Sequence, residues 1–592
     1  MHRFRSNPWP LSLFGVATML LVAGAIAGFS IPRGEFTATA APPTTRPVDG
    51  LRQHDPDVFA LTGARIVVAP GRVIEQGTVV LRGDMIEAVG ADIAIPPDAR
   101  VIDLSGKTIY PGLIDAFSEV SIGDDDANRG APHWNPHIVP QRRVAGRYQA
   151  DKSLNEKLRS QGITLRLAVP SGGILKGTSA IVATGGDAND QAIVKSDVAQ
   201  HIRLTVSRGS REQYPNSPMG AVALARQTMY DADWFGDAWQ AWKASSSASR
   251  PENNDALAAL SQWRDGDGLV VIDAINELYA LRADDFAREF KLNAVLRGSG
   301  NEYRRLDAIR ETGRPVLVPV AFPKAPNVAT PEAARQATLE SLMHWELAPE
   351  NPARLQAAGI RIAICTHGLA DVGSFLKSVR QAVERGLSAD DALRALTQTP
   401  AELYGIADRT GTVEAGKLAN LLVTDSDLFG EKSKVLETWV LGQRHEHTRD
   451  PLFDVRGQWN LKLAPKPSQG GDIELKIAGE LSKLEGTSRP LAAKSNGKSK
   501  KPADDEAGDK LKQVGLRDAR FSALVEAKPW GHTGIAQLSL VLLDDENSDL
   551  QGLGVITWPD GSQSRIEATR QSNTDEKSEA ATSDDKDSAD KQ

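Results

Sequence analysis

Cysteine is almost absent from this chain of 592 residues: Cys365 is the only one, so no disulfide bond can form within the chain. Cys365 ends a short apolar run, which predicts a small core residue rather than a nucleophile. A basic stripe is also missing, and the formal net charge of −8 excludes a typical nucleic-acid-binding surface. Apolar residues nevertheless make up 41% of the sequence, which is enough to build the cores of several globular domains.

Long apolar runs are rare, and the clearest one lies at the N-terminus. Arg3 and Arg5 precede an uncharged, mostly apolar segment from Leu11 to Phe29. This segment is long for the core of a cleaved signal peptide and just long enough to span a bilayer. Residues 1–30 therefore predict a signal peptide or a membrane anchor. In both cases the remainder is exported and is periplasmic, membrane-anchored or secreted.

After a Pro- and Thr-rich linker, predicted over residues 31–56, short β-type runs occur on both sides of a longer central region. Residues 57–112 and 411–450 contain such runs, separated by Gly and Pro turns, and they predict two parts of one small antiparallel β-sandwich. The second part is expected to begin with a strand at 411–413. Between them, residues 113–410 alternate apolar runs with helical stretches, such as one over 331–345. This alternation predicts a βα barrel or a doubly wound sheet.

The C-terminal part carries a separate β-type pattern. Residues 451–570 include strictly alternating stretches such as 458–463, which predict an all-β domain. A Lys- and Ser-rich insertion at 485–512 and the polar tail at 571–592 are expected to be disordered. Three tryptophans of this domain predict core positions, with stacking on sugars in a glycan-binding scaffold as the alternative: Trp459, Trp530 and Trp558.

Two long motifs frame the central region. One is TIYPGLIDA at residues 108–116, and the other is GTVEAGKLANL at 411–421, preceded by a helical segment at 392–401. Together with QGIT and PSGG, which follow the first motif, they resemble the amidohydrolase superfamily, nearest to its imidazolonepropionase-like branch, over residues 57–447. The resemblance implies a TIM-type (β/α)8 barrel flanked by the split β-sandwich, with the site at the C-terminal ends of the barrel strands.

The histidines that this resemblance implies are missing. The first barrel strand of the family ends in His-x-His, where this chain has Phe117 and Glu119. Asp273 and Arg297 correspond to further histidine positions, and His367 corresponds to the catalytic aspartate. Phenylalanine cannot bind a metal, and arginine repels a cation. We therefore expect no cofactor, with a single divalent metal held by the two carboxylates and His367 as the alternative.

Two functions are compatible with such a site. In the first, the exported chain is non-catalytic or repurposed. It then binds an unidentified small molecule or assembles as a homo-oligomer or with a metal-competent amidohydrolase partner. In the second, it is an active hydrolase of non-peptide or dipeptide-like C–N bonds. Glu119 or Asp273 would then be the base, His367 the acid and Arg297 the oxyanion stabiliser. Without a ligand or substrate, the same four side chains would form a buried ion-pair set.

Overall fold

The computed structural model describes residues 57–123, 130–185, 192–206, 214–245, 249–261, 263, 268–447, 453–480, 483–491, 508–544 and 550–571. The predicted leader or anchor, the linker and the tail from 572 onward lie outside these ranges. Within them, no helix combines the length and the apolar character needed to cross a membrane.

Strands and helices alternate through the first large part of the chain. They are β1 (Val58–Ala69), β2 (Arg72–Arg82), β3 (Met85–Gly90), β4 (Arg100–Asp103), β5 (Thr108–Pro111), β6 (Leu113–Val120), α1 (Lys152–Ser160), β7 (Ile163–Pro170), β8 (Leu175–Thr178), β9 (Ala180–Ala183), β10 (Ile193–Lys195), β11 (Gln200–Arg203), α2 (Pro218–Ala244), α3 (Asp255–Ser261), β12 (Leu269–Asp273), α4 (Glu277–Glu289), β13 (Asn293–Arg297), α5 (Leu306–Thr312), β14 (Val316–Pro319), α6 (Pro331–Gln336), α7 (Leu339–Leu347), α8 (Asn351–Ala357), β15 (Ile362–Cys365), α9 (Phe375–Glu384), α10 (Ala389–Leu396), α11 (Gln398–Leu403), β16 (Leu421–Thr424), β17 (Val435–Val440) and β18 (Gln443–Glu446).

The two β-rich flanks form one eight-stranded sheet. Its strand order is β18-β17-β16-β5-β1-β2-β3, with β4 also paired to β1. Strand β16 pairs with β5, so the segments before and after the central region meet in this sheet. The expected all-antiparallel pairing was wrong, because β4 and β5 run parallel to β1. The strand predicted at 411–413 is absent. Gly411 has a φ of +93° there, which is incompatible with extended backbone.

The central region is a mixed α/β fold built on parallel strands. Strands β6 and β7 run parallel, as do β11 to β15 in succession, whereas β8 and β9 run antiparallel to β11 and β7. These strands belong to two sheets of six and four strands. The two sheets share one apolar core, which includes Leu167 from the smaller sheet and Val295 and Cys365 from the larger. Strand β15 lies beside β6, so the outer edges of the two sheets approach each other.

Helices connect the parallel strands and cover their outer faces. Helix α4 begins where Asn276 Oδ1 accepts a hydrogen bond from the Tyr279 backbone N–H, as a favourable N-cap does. The helix predicted over 331–345 is interrupted: α6 ends at Gln336 and α7 begins at Leu339. Thr338 is extended there and caps α7 through a hydrogen bond from Ser341 N, so the capping preference divides the predicted helix.

The C-terminal part is a nine-stranded antiparallel sheet that is nearly closed into a barrel. Its strands are β19 (Gly457–Ala464), β20 (Ile473–Glu480), β21 (Lys483–Pro490), β22 (Asp509–Lys510), β23 (Lys512–Arg517), β24 (Arg520–Glu526), β25 (Ile535–Asp544), β26 (Leu550–Thr557) and β27 (Gln563–Arg570). Strand β22 pairs with β21 at one edge, and β23 pairs with β24 at the other, so the continuous segment 509–517 connects both edges.

Two expectations for this sheet need correction. The predicted insertion at 485–512 is shorter, because residues through Pro490 and from Asp509 onward pair as strands, while 492–507 lie outside the described residues. The sugar-stacking alternative is contradicted because Trp459, Trp530 and Trp558 are at most 3% exposed. Their indole N–H groups donate to Val455 O, Gly471 O and Ser564 Oγ, so these tryptophans are satisfied core residues.

Candidate functional site

The four predicted site residues converge at the C-terminal ends of the parallel strands. Glu119 lies near the end of β6, Asp273 ends β12, Arg297 ends β13, and His367 lies just after β15. Parallel strands bring their carboxyl ends to the same edge, which is why residues so distant in sequence meet here. They surround two further side chains, Phe117 and Lys176.

Lys176 is the charged centre of the cluster. Its side chain is fully buried on β8, and Nζ donates to Glu119 Oε1 at 2.9 Å and to Asp273 Oδ2 at 2.7 Å. The Nε of Arg297 donates to Asp273 Oδ1 at 3.4 Å. Burial alone would raise the pKa of Asp273, but Lys176 and Arg297 outweigh it and hold that pKa well below its usual range. Asp273 is therefore an ionised buried carboxylate with two cationic partners.

The phenyl ring of Phe117 fills the space between the polar groups. Its centroid lies 5.8 Å from that of His201 and 5.3 Å from that of His367, both in edge-to-face arrangements. The Nζ of Lys176 and the Cζ of Arg297 lie 5.8 and 5.7 Å from the same centroid. These distances permit cation–π attraction, so the ring packs favourably among the cations.

Both histidines of the cluster are neutral at pH 7. His201, on β11, is completely buried, and burial together with the nearby Lys176 lowers its pKa to about 3. Neither of its ring nitrogens has a hydrogen-bond partner among the described residues. Burial, and then the charge of Arg297, also lowers the pKa of the partly exposed His367.

Arg203 follows His201 by two residues on β11, so both side chains lie on the same face of the strand. Its Nε is 4.0 Å from Asp273 Oδ2, too far for a hydrogen bond, and this buried atom has no other partner within the described ranges. The side chain is 28% exposed. Arg203 therefore connects the buried cluster with the solvent-facing end of the strands.

Asp115 forms a separate structural link behind Phe117. Its Oδ1 accepts from the backbone N–H groups of Thr366 and Phe117 at 2.9 and 3.3 Å, and its Oδ2 accepts from Thr366 Oγ1 at 2.5 Å. Complete burial raises the pKa of Asp115 to about 6 despite these hydrogen bonds. This carboxyl group connects β6 to the residue that follows β15.

The side chains around Phe117 do not fit a catalytic divalent metal. Both carboxylates of the cluster are already hydrogen-bonded to the Lys176 ammonium, and Arg297 adds a second positive charge beside them. A phenyl ring lies where ligands would have to converge. Across the described ranges, no three His, Cys, Asp or Glu side chains are grouped to hold a metal ion. The two neutral imidazoles, His201 and His367, pack edge-to-face against the ring of Phe117.

Three members of the cluster were missed from the sequence: Lys176, His201 and Arg203. Lys176 was detectable as a lone charge between Leu175 and Gly177, in a segment that is buried throughout. His201 and Arg203 alternate with Ile202, which packs on the outer face of β11. That alternation indicates two inward-facing polar side chains on one strand, but it does not reveal which other side chains they meet.

Comparisons with known proteins agree with this fold. The model of the amidohydrolase family matches residues 350–445. The chain is 24% identical over 388 residues to the imidazolonepropionase of Mesorhizobium japonicum, covering 60% of this chain and 87% of that protein. It is likewise 24% identical over 396 residues to the imidazolonepropionase of Rhizobium meliloti, covering 62% of this chain and 89% of that protein. An amidohydrolase structure from Thermotoga maritima superimposes with a TM-score of 0.55 and 21% identity, covering 65% of this chain and 99% of that one. Together, these similarities show distant homology to imidazolonepropionase and the fold of an amidohydrolase, and the amidohydrolase family model matches the segment 350–445 of this chain.

Proposed function

We propose that this protein is an exported member of the amidohydrolase family whose central site is repurposed for binding and does not carry out metal-dependent hydrolysis. The observation that supports this proposal is the ammonium of Lys176, which is hydrogen-bonded to both Glu119 and Asp273. The proposal includes a TIM-type (β/α)8 arrangement of the two central sheets, supported by their common core and by the proximity of β15 to β6.

The ammonium group takes over what a divalent cation does for a pair of carboxylates. Two buried or half-buried anions repel each other unless a positive charge lies between them. Lys176 supplies that charge from within the chain, at hydrogen-bonding distance from both carboxylates. A metal ion entering the cluster would have to displace this ammonium and also tolerate Arg297, and both requirements weaken metal affinity.

The contacts of the proposed catalytic residues support the alternative, an active metal-free hydrolase, less well than they support a binding site. A general base is most effective when its pKa lies near the working pH, and the pKa of Asp273 is held well below its usual range. His367 is mostly neutral at pH 7 and is therefore a weak proton donor. Arg297 already donates to Asp273 and to the Gly298 carbonyl oxygen. Glu119, the remaining proposed catalytic group, already accepts a hydrogen bond from Lys176.

Metal content tests the proposal directly. We expect the full chain, purified without a His-tag and incubated with zinc or manganese, to retain no stoichiometric metal after desalting. Lys176→Met removes the competing ammonium and should raise the affinity for divalent cations. Lys512→Met is the matched control, because Lys512 also pairs with a carboxylate, Glu526, but in the C-terminal sheet. One equivalent of tightly bound metal in the unmodified chain would contradict the proposal.

Turnover separates the two hypotheses further. Cyclic amides and dipeptides are the substrates to screen, since hydrolysis of such C–N bonds is what the alternative requires. We expect no turnover above that of the Glu119→Gln and His367→Ala variants. Hydrolysis by the unmodified chain that both substitutions abolish would establish the alternative. The mass of the purified protein in solution, alone and mixed with a metal-competent amidohydrolase, tests the proposed assembly.

A further inference from the structure

Positive charge exceeds negative charge in the cluster around Phe117. Among the described residues, the cations are Lys176, Arg203 and Arg297, and the carboxylates are Glu119 and Asp273. His201 and His367 add no charge at pH 7. Asp115 lies behind Phe117, where the charge of Arg166 acts on it. The cluster therefore carries an excess of one positive charge.

The excess charge coincides with unused hydrogen-bonding groups. The buried Nε of Arg203 and both ring nitrogens of His201 have no partner among the described residues. A buried polar group without a partner lowers stability, and folded proteins rarely retain one that nothing ever satisfies. The two residues lie on one face of β11, with His201 buried inside and Arg203 at the partly exposed end. The unpartnered atoms of both residues therefore lie on the strand face that points to the cluster, and Arg203 is the one of the two whose side chain reaches solvent.

We propose that this site binds a small carboxylate anion, with Arg203 as its main partner and His201 as a second hydrogen-bonding group. The inference rests on the proposed function, because it assigns a ligand class to the same metal-free site. The Arg203 guanidinium donates to the carboxylate, and a neutral His201 ring donates one hydrogen bond from its protonated nitrogen. The ring of Phe117 forms an apolar wall beside them.

The chemistry of the groups selects a carboxylate over other ligands. A divalent cation is repelled by the excess positive charge, and a neutral molecule leaves that charge uncompensated. A monoanion balances it, and the planar guanidinium fork matches the two oxygens of a carboxylate. Burial around Asp273 and Lys176 strengthens such a contact, because little water competes for it.

The experiment compares acetate with its neutral isostere acetamide by calorimetric titration of the full chain. We expect saturable binding of acetate and none of acetamide. Arg203→Met should weaken acetate binding by about tenfold or more, as expected for loss of a charge-assisted hydrogen bond. Arg203→Lys keeps the charge but loses the planar fork. Its affinity for acetate should therefore lie between that of the unmodified chain and that of Arg203→Met. Arg226→Met is the matched control, because Arg226 pairs with Glu289 on the helices away from the site.

His201→Phe tests the second group. Because it removes two unpartnered nitrogens, the variant should be at least as stable as the unmodified chain without ligand, yet it should bind acetate more weakly. Equal binding of acetate and acetamide, or unchanged affinity in Arg203→Met and Arg203→Lys, would overturn the inference. Metal content measured on the same samples distinguishes a failure of the carboxylate inference from a failure of the proposed function. Metal-free protein without acetate binding refutes only the carboxylate ligand, whereas stoichiometric metal refutes the proposed function.

Discussion

Replacing Lys176 by methionine is the most decisive perturbation of this protein's stability. Methionine keeps the apolar stem and approximate volume of the side chain but removes the ammonium that both Glu119 and Asp273 accept from. Asp273 is 2% exposed, and of its ion pairs with described residues it would keep the 3.4 Å contact with Arg297 and the more distant one with Arg203. Breaking one partner of a buried ion pair costs about 3–5 kcal/mol. Since Arg297 remains, we expect about 3 kcal/mol, at the lower end of that range.

Urea unfolding at pH 7 measures this cost, and a double-mutant cycle isolates its origin. Asp273→Asn alone should also destabilise the protein, because it leaves Lys176 and Arg297 short of negative charge. The double variant should cost less than the sum of both single variants, because the contact between Lys176 and Asp273 is lost only once and neither of these two charges is left buried without the other. Lys512→Met, with its exposed ion pair, should change stability by less than about 1 kcal/mol.

The pH dependence of the same cycle provides an independent check. The pKa of Asp273 is lowered in the folded protein, so its ion pairs stabilise the fold above the unfolded pKa and this contribution disappears as the pH falls. The penalty of Lys176→Met should therefore shrink on acidification below about pH 4. A penalty below about 1 kcal/mol at pH 7, or strict additivity of the two substitutions, would refute the assigned ion pairs.

Three further predictions concern other parts of the fold. Burial raises the pKa of Asp115 to about 6, so the folded state keeps a proton that the unfolded state releases near pH 4, and stability falls as the pH rises through this interval. Asp115→Asn should flatten that decline by up to about 3 kcal/mol, measured by urea unfolding at pH 4.5 and 7; an unchanged slope would contradict the assignment. Trp530→Ala removes a fully buried indole from the C-terminal sheet and should destabilise that sheet by about 3–5 kcal/mol, measured by calorimetry. Gly442→Ala should also lower the melting temperature, because its φ is +77° and the added Cβ would overlap the carbonyl oxygen of Gly83; Gly416→Ala, at φ +82° with open space around it, is the control and should cost less.

Much of the architecture could be predicted from the sequence. Uniformly apolar runs such as that of β12 identify strands buried on both faces, and their alternation with helical segments indicates a parallel sheet. The motif at 108–116 and its distant counterpart at 411–421 also indicated the family. Element boundaries were less accurate where one residue outweighs the pattern, as Thr338 does by capping α7 and Gly411 by leaving the extended region.

The sequence by itself also predicted a site without a family-type metal, because phenylalanine cannot bind a metal and arginine repels a cation at the positions of Phe117 and Arg297. Which side chains surround Phe117 was decided only by the tertiary structure. Lys176 comes from a strand that carries no family motif, and it meets Glu119 and Asp273 across gaps of 57 and 97 residues. Local patterning reveals which face a side chain occupies, but ion pairing and burial depend on which strand ends converge. Those contacts, together with the groups of His201 and Arg203 that have no partner in the described part of the chain, are properties of the assembled strands and of no single segment.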